Sequence, residues 1–418
     1  MSKTIIIIGA GLAGLSAALQ AAENGCNVKL VSSLPSERAQ SVMAEGGINA
    51  ALNTKDENDS PEEHFTDTIK AACGLADPNA VWGMTQAAPE LVHWLLKLGV
   101  KFNMSGYDDV DLRNFGGQKK KRTAFAQSDT GKQIMTAMID AVRRKEASGM
   151  VERFSHHSFL TLRLCGNICC GCVIRDEYSQ EIVELPGNAV IVASGGMHGL
   201  FGNTTGSLSN TGEVTAELFR LGVPLANGEM IQYHPTTVKC GGKRMLISEA
   251  ARGEGGRLFA MKDGKQWYFM EEKYPELGNL MPRDITAREI WKVSHESEVF
   301  LDMTEISEEI ISNKLSGLAD DCMTYLHKDI RKEPVSVLPG IHYFMGGILV
   351  DEQHRTPIQN LYAAGECCAQ YHGANRLGGN SLLGALYGGR VAAKSACEQA
   401  DVVDLSCATQ IDFPPASQ

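Results

Sequence analysis

Long apolar runs and an excess of positive charge are both missing from this sequence. No apolar run is longer than a strand, so none could form a transmembrane helix, and Ile5–Ile8 is too short for the hydrophobic region of a signal peptide. The formal net charge is -11, and the short basic run Lys119–Arg122 fits a solvated loop. We therefore expect a cytoplasmic protein that neither inserts into a membrane nor binds nucleic acid.

Several catalytic and metal-binding signatures are also missing. The sequence has no HExxH motif, no Walker loop, no Ser-His-Asp signature and no Cys-x-x-Cys-His haem site. Its 12 cysteines are scattered, apart from a cluster whose spacing could suit an iron–sulfur centre: Cys165, Cys169, Cys170 and Cys172. This cluster lies in a predicted strand pair, where successive side chains point to opposite faces. We expect small buried side chains and no metal, with an iron–sulfur site as the alternative.

The N-terminus carries the clearest positive signal. Four consecutive isoleucines, Ile5–Ile8, suit a strand buried on both faces of a parallel sheet. A GxGxxG pattern over residues 9–14 then leads into a predicted helix over residues 12–23, and a second apolar strand, Val28–Val31, follows at βαβ distance. The glycines would allow a tight turn, the approach of a pyrophosphate and close helix–strand packing. We therefore predict a dinucleotide site.

The end of the second strand leaves the type of dinucleotide open. In NAD-binding proteins an acidic side chain usually holds a ribose hydroxyl at this point. This sequence has Ser32 and Ser33 instead, which can bond a hydroxyl but carry no charge. The local pattern therefore weakens NAD and remains compatible with FAD.

The length of 418 residues exceeds that of one compact βαβ unit, so we expect two domains. A buried strand over residues 189–196 ends in small residues and could lie beside the first strand. From about residue 227 the composition changes, and helices are predicted to dominate residues 282–327. We predict an α/β fold in which a second domain interrupts the nucleotide-binding domain, with the boundaries 1–226 (first part), 227–345 (inserted domain), 346–400 (second part) and 401–418 (tail).

Four short stretches carry polar groups that are unusual in a protein core: Gln232–Thr237, Ser248–Gly256, Pro282–Arg288, and His342–Tyr343 together with Arg376. They offer two histidines that can be neutral, several guanidiniums and few free carboxylates. Because arginine binds carboxylates in bidentate pairs, this set suits a dianionic substrate. Taken singly, three of these residues also fit structural roles, namely a turn histidine at His234, a helix-start ion pair at Arg283 and a loop contact at Arg376.

Together these motifs resemble those of the flavoprotein subunits of the fumarate reductase and succinate dehydrogenase family, over residues 3–400. The motifs that carry the resemblance occur in family order: GAGLAG at 9–14, AEGG at 44–47, FGG at 115–117, QYHPT at 232–236, RGEGG at 252–256, PRD at 282–284, HYFMGG at 342–347, AGE at 364–366 and NRLGGNSL at 375–382. The resemblance implies a Rossmann-like FAD-binding domain, an inserted α+β capping domain, and a dicarboxylate between them.

The resemblance also implies roles for individual residues. A set of two histidines, a serine and an arginine would hold the substrate carboxylates: His234, Ser248, His342 and Arg376. Phe115 would lie near the double bond of the substrate. Arg283 would donate a proton, with Glu249 and Arg252 as its relay. Contacts to FAD are expected from Gly9, Gly11, Leu12, Ala13, Gly14, Ser32, Gln40, Ser41, Glu45, Gly46, Gly47, Asp129, Ala193, Ser194, Gly195, Glu366, Ser381 and Leu382.

Two departures from the family pattern shape the expected chemistry. The position at which membrane-bound relatives carry an FAD-linked histidine is Gln40 here. We therefore predict non-covalent FAD, a lower flavin potential, and fumarate reduction in preference to succinate oxidation. The helical C-terminal domain of those relatives has no counterpart in this sequence, which leaves docking to their iron–sulfur subunit open. The sequence has no haem motif either, so we expect the electron donor to be another protein or a small molecule.

Three other functions fit parts of the pattern. L-Aspartate oxidases share most of these motifs, but typically carry Arg-Glu-Gly-Gly at Asn114–Gly117, where Phe115 could not pair with an ammonium group. A reductase of another α,β-unsaturated acid is the next alternative, although the two histidines and Arg376 favour a dicarboxylate. A flavin electron carrier would not need both Arg283 and Arg376. We therefore expect an oxidoreductase that reduces fumarate to succinate, with hydride from flavin N5.

Overall fold

The computed structural model describes residues 2–106 and 109–400. Its helices are α1 (Leu12–Glu23), α2 (Pro61–Ala72), α3 (Pro78–Leu98), α4 (Thr130–Ala147), α5 (Glu213–Arg220), α6 (Glu249–Gly253), α7 (Phe269–Lys273), α8 (Arg283–Val293), α9 (Glu308–Lys314), α10 (Ser316–Asp321) and α11 (Asn380–Gln399). The strands of the first half are β1 (Thr4–Ile8), β2 (Asn27–Ser32), β3 (Ile48–Asn49), β4 (Leu112–Arg113), β5 (Thr123–Ala124), β6 (Val151–Ser155), β7 (His157–Cys165), β8 (Ile168–Asp176), β9 (Ile182–Pro186) and β10 (Ala189–Val192). The later strands are β11 (Leu225–Ala226), β12 (Ile231–Cys240), β13 (Lys243–Leu246), β14 (Arg257–Lys262), β15 (Lys265–Trp267), β16 (Val299–Asp302), β17 (Val335–Ser336), β18 (Leu338–Phe344), β19 (Gly347–Leu349), β20 (Leu361–Ala363) and β21 (Cys368–Ala369).

A parallel sheet of five strands forms the centre of the nucleotide-binding part, in the order β20-β10-β1-β2-β6. Ile5–Ile8 of β1 are at most 4% exposed, because β10 and β2 flank this strand and apolar clusters cover both faces of the sheet. The predicted burial of the isoleucines is thus confirmed. The predicted neighbour is confirmed as well, since Ile5 lies opposite Ala189 of β10. The carboxyl ends of these strands therefore meet at one edge.

Helices on one face of the sheet hold the first strand–turn–helix unit in place. α11 packs along α1, and a Cβ at Gly389 would lie 2.3 Å from Ala13 O, so only glycine permits this close approach. Residues 60–98 contain the two helices α2 and α3. The side chains of Ser60 and Asp77 accept backbone N–H groups of their first turns, and α3 ends at Gly99 with φ +100°.

The segment between β12 and β18 has an apolar core of its own. These two strands pair antiparallel, with Ile231 opposite Phe344, and so bring the two ends of the segment together. Inside it, β14, β15, β16 and β17 form an antiparallel sheet whose apolar side chains include Leu258 and Leu301. Residues 282–327 contain α8, α9 and α10 as predicted, but also β16, which pairs with β14. The domain boundaries at residues 226 and 345 remain predictions, and the predicted tail, residues 401–418, lies outside the described residues.

The cysteine-rich strand β8 belongs to a sheet of three strands, β7-β8-β9. Cys169 and Cys172 lie in its apolar core, and burial raises the pKa of Cys169 to about 12. The Cys170 thiol donates to Arg163 O at 3.2 Å. These three thiols therefore serve as small buried side chains. Within residues 2–106 and 109–400, no helix has both the length and the hydropathy required to cross a membrane.

Candidate active site

A continuous cavity opens where the carboxyl ends of the central strands meet. Its walls come from the ends of four parallel strands: Gly9–Ala13 after β1, Ser32–Pro35 after β2, Ala193–Gly195 after β10 and Ala364–Glu366 after β20. Open α/β sheets bind their ligands at this edge. The cavity continues to a set of polar side chains on the segment between β12 and β18, so one space connects the predicted cofactor and substrate residues.

The glycines of the GxGxxG turn serve different purposes. A Cβ at Gly9 (φ +111°) would lie 2.2 Å from Ala193 O, and one at Gly14 would lie 1.8 Å from Gly9 O. Both positions are therefore needed for packing within the chain. At Gly11 the nearest atom to a Cβ would be Ser41 Oγ at 3.6 Å, which is an ordinary contact. Because Gly11 lines the cavity, its missing side chain makes room for a ligand, as a bound pyrophosphate requires.

All but two of the predicted FAD contacts line this cavity. The exceptions are Gly14, which packs against the turn, and Asp129, which lies at the start of α4. Glu45 does line the cavity, and its pKa is raised to about 8, first by burial and then by the carboxylate of Asp321. One carboxyl oxygen of Glu45 has no hydrogen-bond partner among the described residues. This side chain is therefore neutral at neutral pH.

Glu366 is held in place by two donors. Its Oε1 atom accepts the backbone N–H of Phe344 at 3.0 Å and lies 3.1 Å from His198 Nε2. The His198 ring packs edge-on against the Phe344 ring, with centroids 5.0 Å apart. Since Glu366 lines the cavity, His198 orients a carboxylate that faces the cofactor site.

At the other end of the cavity, Arg283 forms a buried ion pair with Glu249. Arg283 Nε and Nη2 lie 2.8 and 2.7 Å from Glu249 Oε2. The second carboxylate oxygen accepts the N–H of Gly116 at 2.8 Å and lies 3.5 Å from Arg252 Nη2. Burial alone would raise the pKa of Glu249, but Arg283, Arg252 and the Gly116 hydrogen bond outweigh it, so the pKa is lowered. The predicted relay residues are therefore in mutual contact, with the carboxylate ionised.

Arg376 lies against an aromatic ring instead of a carboxylate. Its guanidinium stands over Tyr343 at 4.3 Å, and its Nε atom has no hydrogen-bond partner among the described residues. Burial, followed by the charge of Arg283, lowers the pKa of Arg376 to about 9. Gln232 connects the two arginines, because it accepts from Arg283 Nη1 at 3.0 Å and donates to Arg376 O at 2.7 Å.

The two candidate histidines face each other across the same space. The rings of His234 and His342 have centroids 5.0 Å apart in an edge-to-face arrangement, and both residues line the cavity. The pKa of each ring lies well below its ordinary value, first because the ring is buried and second because Arg283 is nearby. Both histidines are therefore neutral at neutral pH and can act as hydrogen-bond donors or acceptors.

The balance of charge at this end of the cavity is positive. Arg252, Arg283 and Arg376 are buried guanidiniums, whereas Glu249 is the buried carboxylate among them. Two positive charges of this cluster thus lack an anionic partner within it. Buried charges require counter-charges, so the pocket suits a ligand with two negative charges.

The remaining predicted substrate residues also reach this space. Phe115 is 1% exposed and lines the cavity, with its ring close to Gly46 and Gly378. Ser248 lies at the N-cap of α6, where its Oγ accepts the Ala250 N–H at 3.4 Å. Its hydroxyl proton is left for another acceptor, as a carboxylate ligand would require.

Several residues at the site were not assigned from the sequence. Gln232 and Tyr343 fall inside predicted motifs, but only the fold shows that Gln232 bridges two arginines and that Tyr343 carries Arg376 on its ring. His198 had no sequence signal, since its partner Glu366 is 168 positions away. The cavity is also lined by Arg38, His157, Asn210 and Thr211.

Comparison with known proteins agrees with this geometry. The family described as FAD binding domain matches residues 4–382. A succinate dehydrogenase flavoprotein subunit of Bacillus subtilis (strain 168) is 44% identical over 413 residues, covering 97% of this chain and 70% of the relative. An L-aspartate oxidase of Streptomyces coelicolor is 32% identical over 412 residues, covering 94% of this chain and 68% of that protein.

The similarity extends to solved structures. Quinol fumarate reductase FrdA of E. coli, in a glutamate-to-glutamine mutant, superposes with a TM-score of 0.90 at 30% identity, over 97% of this chain and 72% of that chain. The match to the FAD binding domain agrees with the residues found at the cofactor end of the cavity. The chain therefore belongs to the FAD-binding family of succinate dehydrogenase and fumarate reductase flavoprotein subunits, oxidoreductases that act on CH–CH bonds.

Proposed function

We propose that the chain reduces fumarate to succinate with FAD as its cofactor. The observation that carries this proposal is the convergence of Arg283, Arg376, His234 and His342 at one end of the cofactor cavity, with more positive than negative charge buried there. Fumarate is a planar dianion. Its two charges would balance the net positive charge of the cluster formed by Arg252, Arg283, Arg376 and Glu249, and its carboxylates could accept hydrogen bonds from both neutral histidines.

The cofactor end of the cavity fits FAD, which, once reduced by the electron donor, would supply the hydride. The turn at residues 9–14 would take the pyrophosphate, and Glu366, oriented by His198, would accept hydrogen bonds from hydroxyl groups of the cofactor. Gln40 lines the cavity. By the family resemblance, this is the position at which membrane-bound relatives carry the FAD-linked histidine. An amide does not form the covalent link, so we propose that FAD is bound non-covalently.

Residues at the other end would bind and polarise the substrate. Arg376 has free donor capacity and would form a bidentate pair with one carboxylate. His342, His234 and Ser248 would donate hydrogen bonds to the carboxylate oxygens. Withdrawal of charge from a carboxylate makes the adjacent double bond more electrophilic, which favours attack by hydride at the far carbon. The segment between residues 227 and 345 would act as the cap that excludes water from this reaction.

Arg283 would deliver the proton. An arginine is a poor acid in water. Here the acceptor is a strongly basic carbanion, and Glu249 lies 2.7 Å from Arg283 Nη2, so Glu249 would pass to Arg283 a proton that it first takes from Arg252. Arg252 Nη2 lies 3.5 Å from the other oxygen of Glu249 and would regain its proton from water. The relay thus keeps Arg283 charged between turnovers.

Oxidation of L-aspartate is the second candidate, because an L-aspartate oxidase is among the relatives. An aminodicarboxylate would need a free carboxylate for its ammonium group. Both oxygens of Glu249 are already engaged by Arg283, Arg252 and Gly116. Phe115 offers an apolar surface at the position where L-aspartate oxidases typically carry a glutamate. These features favour a plain dicarboxylate over aspartate, and the set of His234, His342 and Arg376 favours a dicarboxylate over other unsaturated acids.

The direction of the reaction and the electron donor belong to the same proposal. The B. subtilis relative is named for succinate oxidation and other relatives for fumarate reduction, so the family does not decide between them. Non-covalent FAD would lower the flavin potential and favour reduction. We propose a donor that is another protein or a small molecule, and a location in the cytoplasm.

Anaerobic reoxidation of the chemically reduced holoenzyme tests the proposal. Fumarate should restore the oxidised flavin spectrum rapidly, whereas a cinnamate-type acid should not. Reoxidation by oxygen but not by fumarate, together with reduction of the oxidised enzyme by L-aspartate, would establish an aspartate oxidase. Rapid reduction of the oxidised enzyme by succinate, with slow reoxidation by fumarate, would reverse the proposed direction.

A further inference from the structure

Two adjacent threonines each bond a different histidine of the site. Thr204 and Thr205 lie in the loop between β10 and α5, and both are buried. Thr204 Oγ1 lies 2.8 Å from Nδ1 of His198, and Thr205 Oγ1 lies 2.7 Å from Nδ1 of His342. The loop therefore contacts the ring that orients the cofactor-facing carboxylate and a ring that faces the substrate.

The direction of the hydrogen bond between Thr205 and His342 can be inferred from the other acceptor within reach of the Thr205 hydroxyl. The one other acceptor that the described residues offer to the Thr205 hydroxyl is Ile341 O, at 3.4 Å. That carbonyl already accepts the Thr205 N–H at 2.9 Å and has the Thr204 hydroxyl at 3.2 Å. A distance of 2.7 Å is typical of a strong hydrogen bond from a hydroxyl, whereas 3.4 Å is at its limit. This geometry favours the Thr205 hydroxyl as the donor and Nδ1 of His342 as the acceptor.

We propose that Thr205 is a positioning residue that holds His342 as the Nε2–H tautomer, so that this ring donates a hydrogen bond to a substrate carboxylate. The inference rests on the proposed function, since it names the group that His342 serves. The Thr205 side chain does not line the cavity and acts only through His342.

The tautomer matters because His342 carries a single proton. Burial and the charges of Arg283 and Arg376 keep its pKa well below the ordinary value, so the ring cannot gain a second N–H at neutral pH. A neutral imidazole has one donor and one acceptor nitrogen. If Nδ1 accepts from Thr205, Nε2 is the donor and attracts a carboxylate. In the other tautomer a lone pair on Nε2 would face the anion and repel it.

Thr204 provides a parallel arrangement at the cofactor end. His198 Nε2 donates to the carboxylate of Glu366 at 3.1 Å, and its Nδ1 lies 2.8 Å from Thr204 Oγ1. Gly206 allows the loop to pass this ring, because a Cβ there would lie 2.2 Å from its atoms. A threonine thus contacts Nδ1 of a histidine at each end of the cavity. At the cofactor end that histidine binds Glu366, and at the substrate end it would bind a carboxylate of the substrate.

The first test reads the tautomer directly. Holoenzyme labelled with 15N in the histidine rings should show, for His342, a protonated Nε2 and a bare Nδ1, with the resonances assigned by their loss in His342→Gln. In Thr205→Val the Nδ1 resonance should shift, whereas in Thr205→Ser it should stay. A protonated Nδ1 on His342 in the wild-type protein would overturn the inference, whatever the protein reduces.

The second test measures succinate binding and fumarate turnover. At metal sites, loss of a hydrogen bond that orients a ligating histidine costs about 10–100-fold in affinity or activity. We expect Thr205→Val to raise the dissociation constant of succinate and KM for fumarate about 10-fold, with a smaller change in kcat, and Thr205→Ser to restore both. Thr136→Val, on the exposed face of α4, is the matched control. Equal affinity in wild type and Thr205→Val would contradict the inference.

The proposed function and the role of Thr205 can fail separately. If the wild-type holoenzyme binds no dicarboxylate, the proposed function fails, while the tautomer measurement on His342 still stands. If Thr205→Val does not retain FAD, the comparison of Thr205→Ser with wild type decides the matter, because serine keeps the hydroxyl. A serine variant with the affinity of wild type and an unchanged His342 tautomer supports the inference, whereas a changed tautomer contradicts it.

Discussion

The arginines of the site have the same side chain but different surroundings, and the surroundings distinguish their proposed roles. Arg283 lies 2.7 Å from the carboxylate of Glu249, whereas Arg376 stacks on Tyr343 and has no carboxylate in the cluster. A guanidinium beside a carboxylate can be resupplied with a proton. One without such a partner is available to a ligand anion instead. The proposed donor and the proposed carboxylate clamp are therefore distinguished by what they touch.

Replacing Arg283 with lysine should abolish fumarate turnover but leave FAD bound. A lysine ammonium cannot contact Glu249 and Gln232 in the geometry of the guanidinium, so we expect a loss of about 100-fold or more. Turnover can be followed by reoxidation of the reduced flavin, and FAD content by absorbance. Arg288→Lys on the same helix, whose side chain is 62% exposed, should behave like wild type. Retained turnover in Arg283→Lys would remove this residue as the donor.

The affinity for succinate should be constant between about pH 6 and about pH 8 and should weaken above about pH 9. The pKa values of His234 and His342 lie well below the ordinary value, so neither ring gains charge in that range. Arg376 loses its proton above its pKa of about 9, and a bound dianion requires the charged form. Each further pH unit should therefore cost up to about 10-fold in affinity.

Isothermal titration of the holoenzyme with succinate measures this dependence. A sharp rise in affinity on acidification from pH 8 to pH 6 would mean that a histidine becomes charged on binding. Such a result would contradict the neutral-donor role proposed for His342.

At the scale of elements, the start of α11 is fixed by a buried polar network. Asn380 Oδ1 accepts from Asn49 Nδ2 at 2.7 Å and from His64 Nε2 at 2.9 Å, while its Nδ2 donates to Thr68 at 3.1 Å. These contacts tie α11 to β3 and α2. The loop that carries Arg376 precedes this helix directly, so the network positions the carboxylate clamp.

Loss of Arg122 should destabilise this region strongly. Arg122 is fully buried and pairs with Asp59 at 2.8 Å and Asp67 at 3.0 Å, both also buried. Arg122→Met would leave buried carboxylates without a counter-charge, which costs about 3–5 kcal/mol in comparable cases. Urea unfolding gives the change in the free energy of unfolding. Arg143→Met, at an exposed ion pair with Glu37, is the control and should cost less than about 1 kcal/mol. Equal effects would mean that the buried network contributes little.

A pair of thiols at the other end of α11 should form a disulfide on oxidation. Cys26 Sγ, between α1 and β2, lies 3.1 Å from Cys397 Sγ, and both are free thiols. Diamide would take up two electrons and two protons as the thiols form one sulfur–sulfur bond. Mass spectrometry of non-reduced peptides should detect the cross-link, and thermal unfolding should shift upwards because the bond closes a long loop. Cys397→Ser should abolish both effects, whereas Cys240→Ser should not; an absence of cross-linked peptide in wild type would contradict the expectation.

At the scale of the whole molecule, FAD should hold together segments that are distant in sequence. The walls of the cavity extend from Ile8 to Ala385 and include residues of the segment between β12 and β18. A ligand that contacts so many segments stabilises the folded state in proportion to its free concentration over its dissociation constant. Cofactor binding and global stability should therefore be coupled.

Acid precipitation should leave FAD in the supernatant, because Gln40 offers no histidine for a covalent link. Apoprotein prepared more gently should unfold at a lower temperature than holoenzyme. FAD added at about 100 times its dissociation constant should restore about 2.7 kcal/mol of stability. Differential scanning calorimetry measures the recovery, with FMN as the control ligand. Yellow colour in the acid pellet would show a covalent flavin and contradict the proposal.

Much of the fold was accessible from local patterns. The isoleucine strand, the glycine turn and the helix over residues 12–23 were predicted correctly, because burial period and turn chemistry are properties of adjacent residues. The strand at β16 was missed, since its four residues are defined by pairing with β14 and not by a strong local signal. Of the site residues predicted from the sequence, all but Gly14, Asp129 and Arg252 line the cavity.

The sequence by itself identified the chemical groups of the site, and only the tertiary structure showed which of them are in contact. Arg283, His342 and Arg376 could be named from motifs, but the bridge made by Gln232 and the contact from Thr205 to His342 could not. Thr205 and His342 are 137 positions apart, and no periodicity extends over such a distance. Local propensity acts between neighbours along the chain, whereas the tautomer of a histidine and the charge balance of a pocket depend on which distant elements pack together.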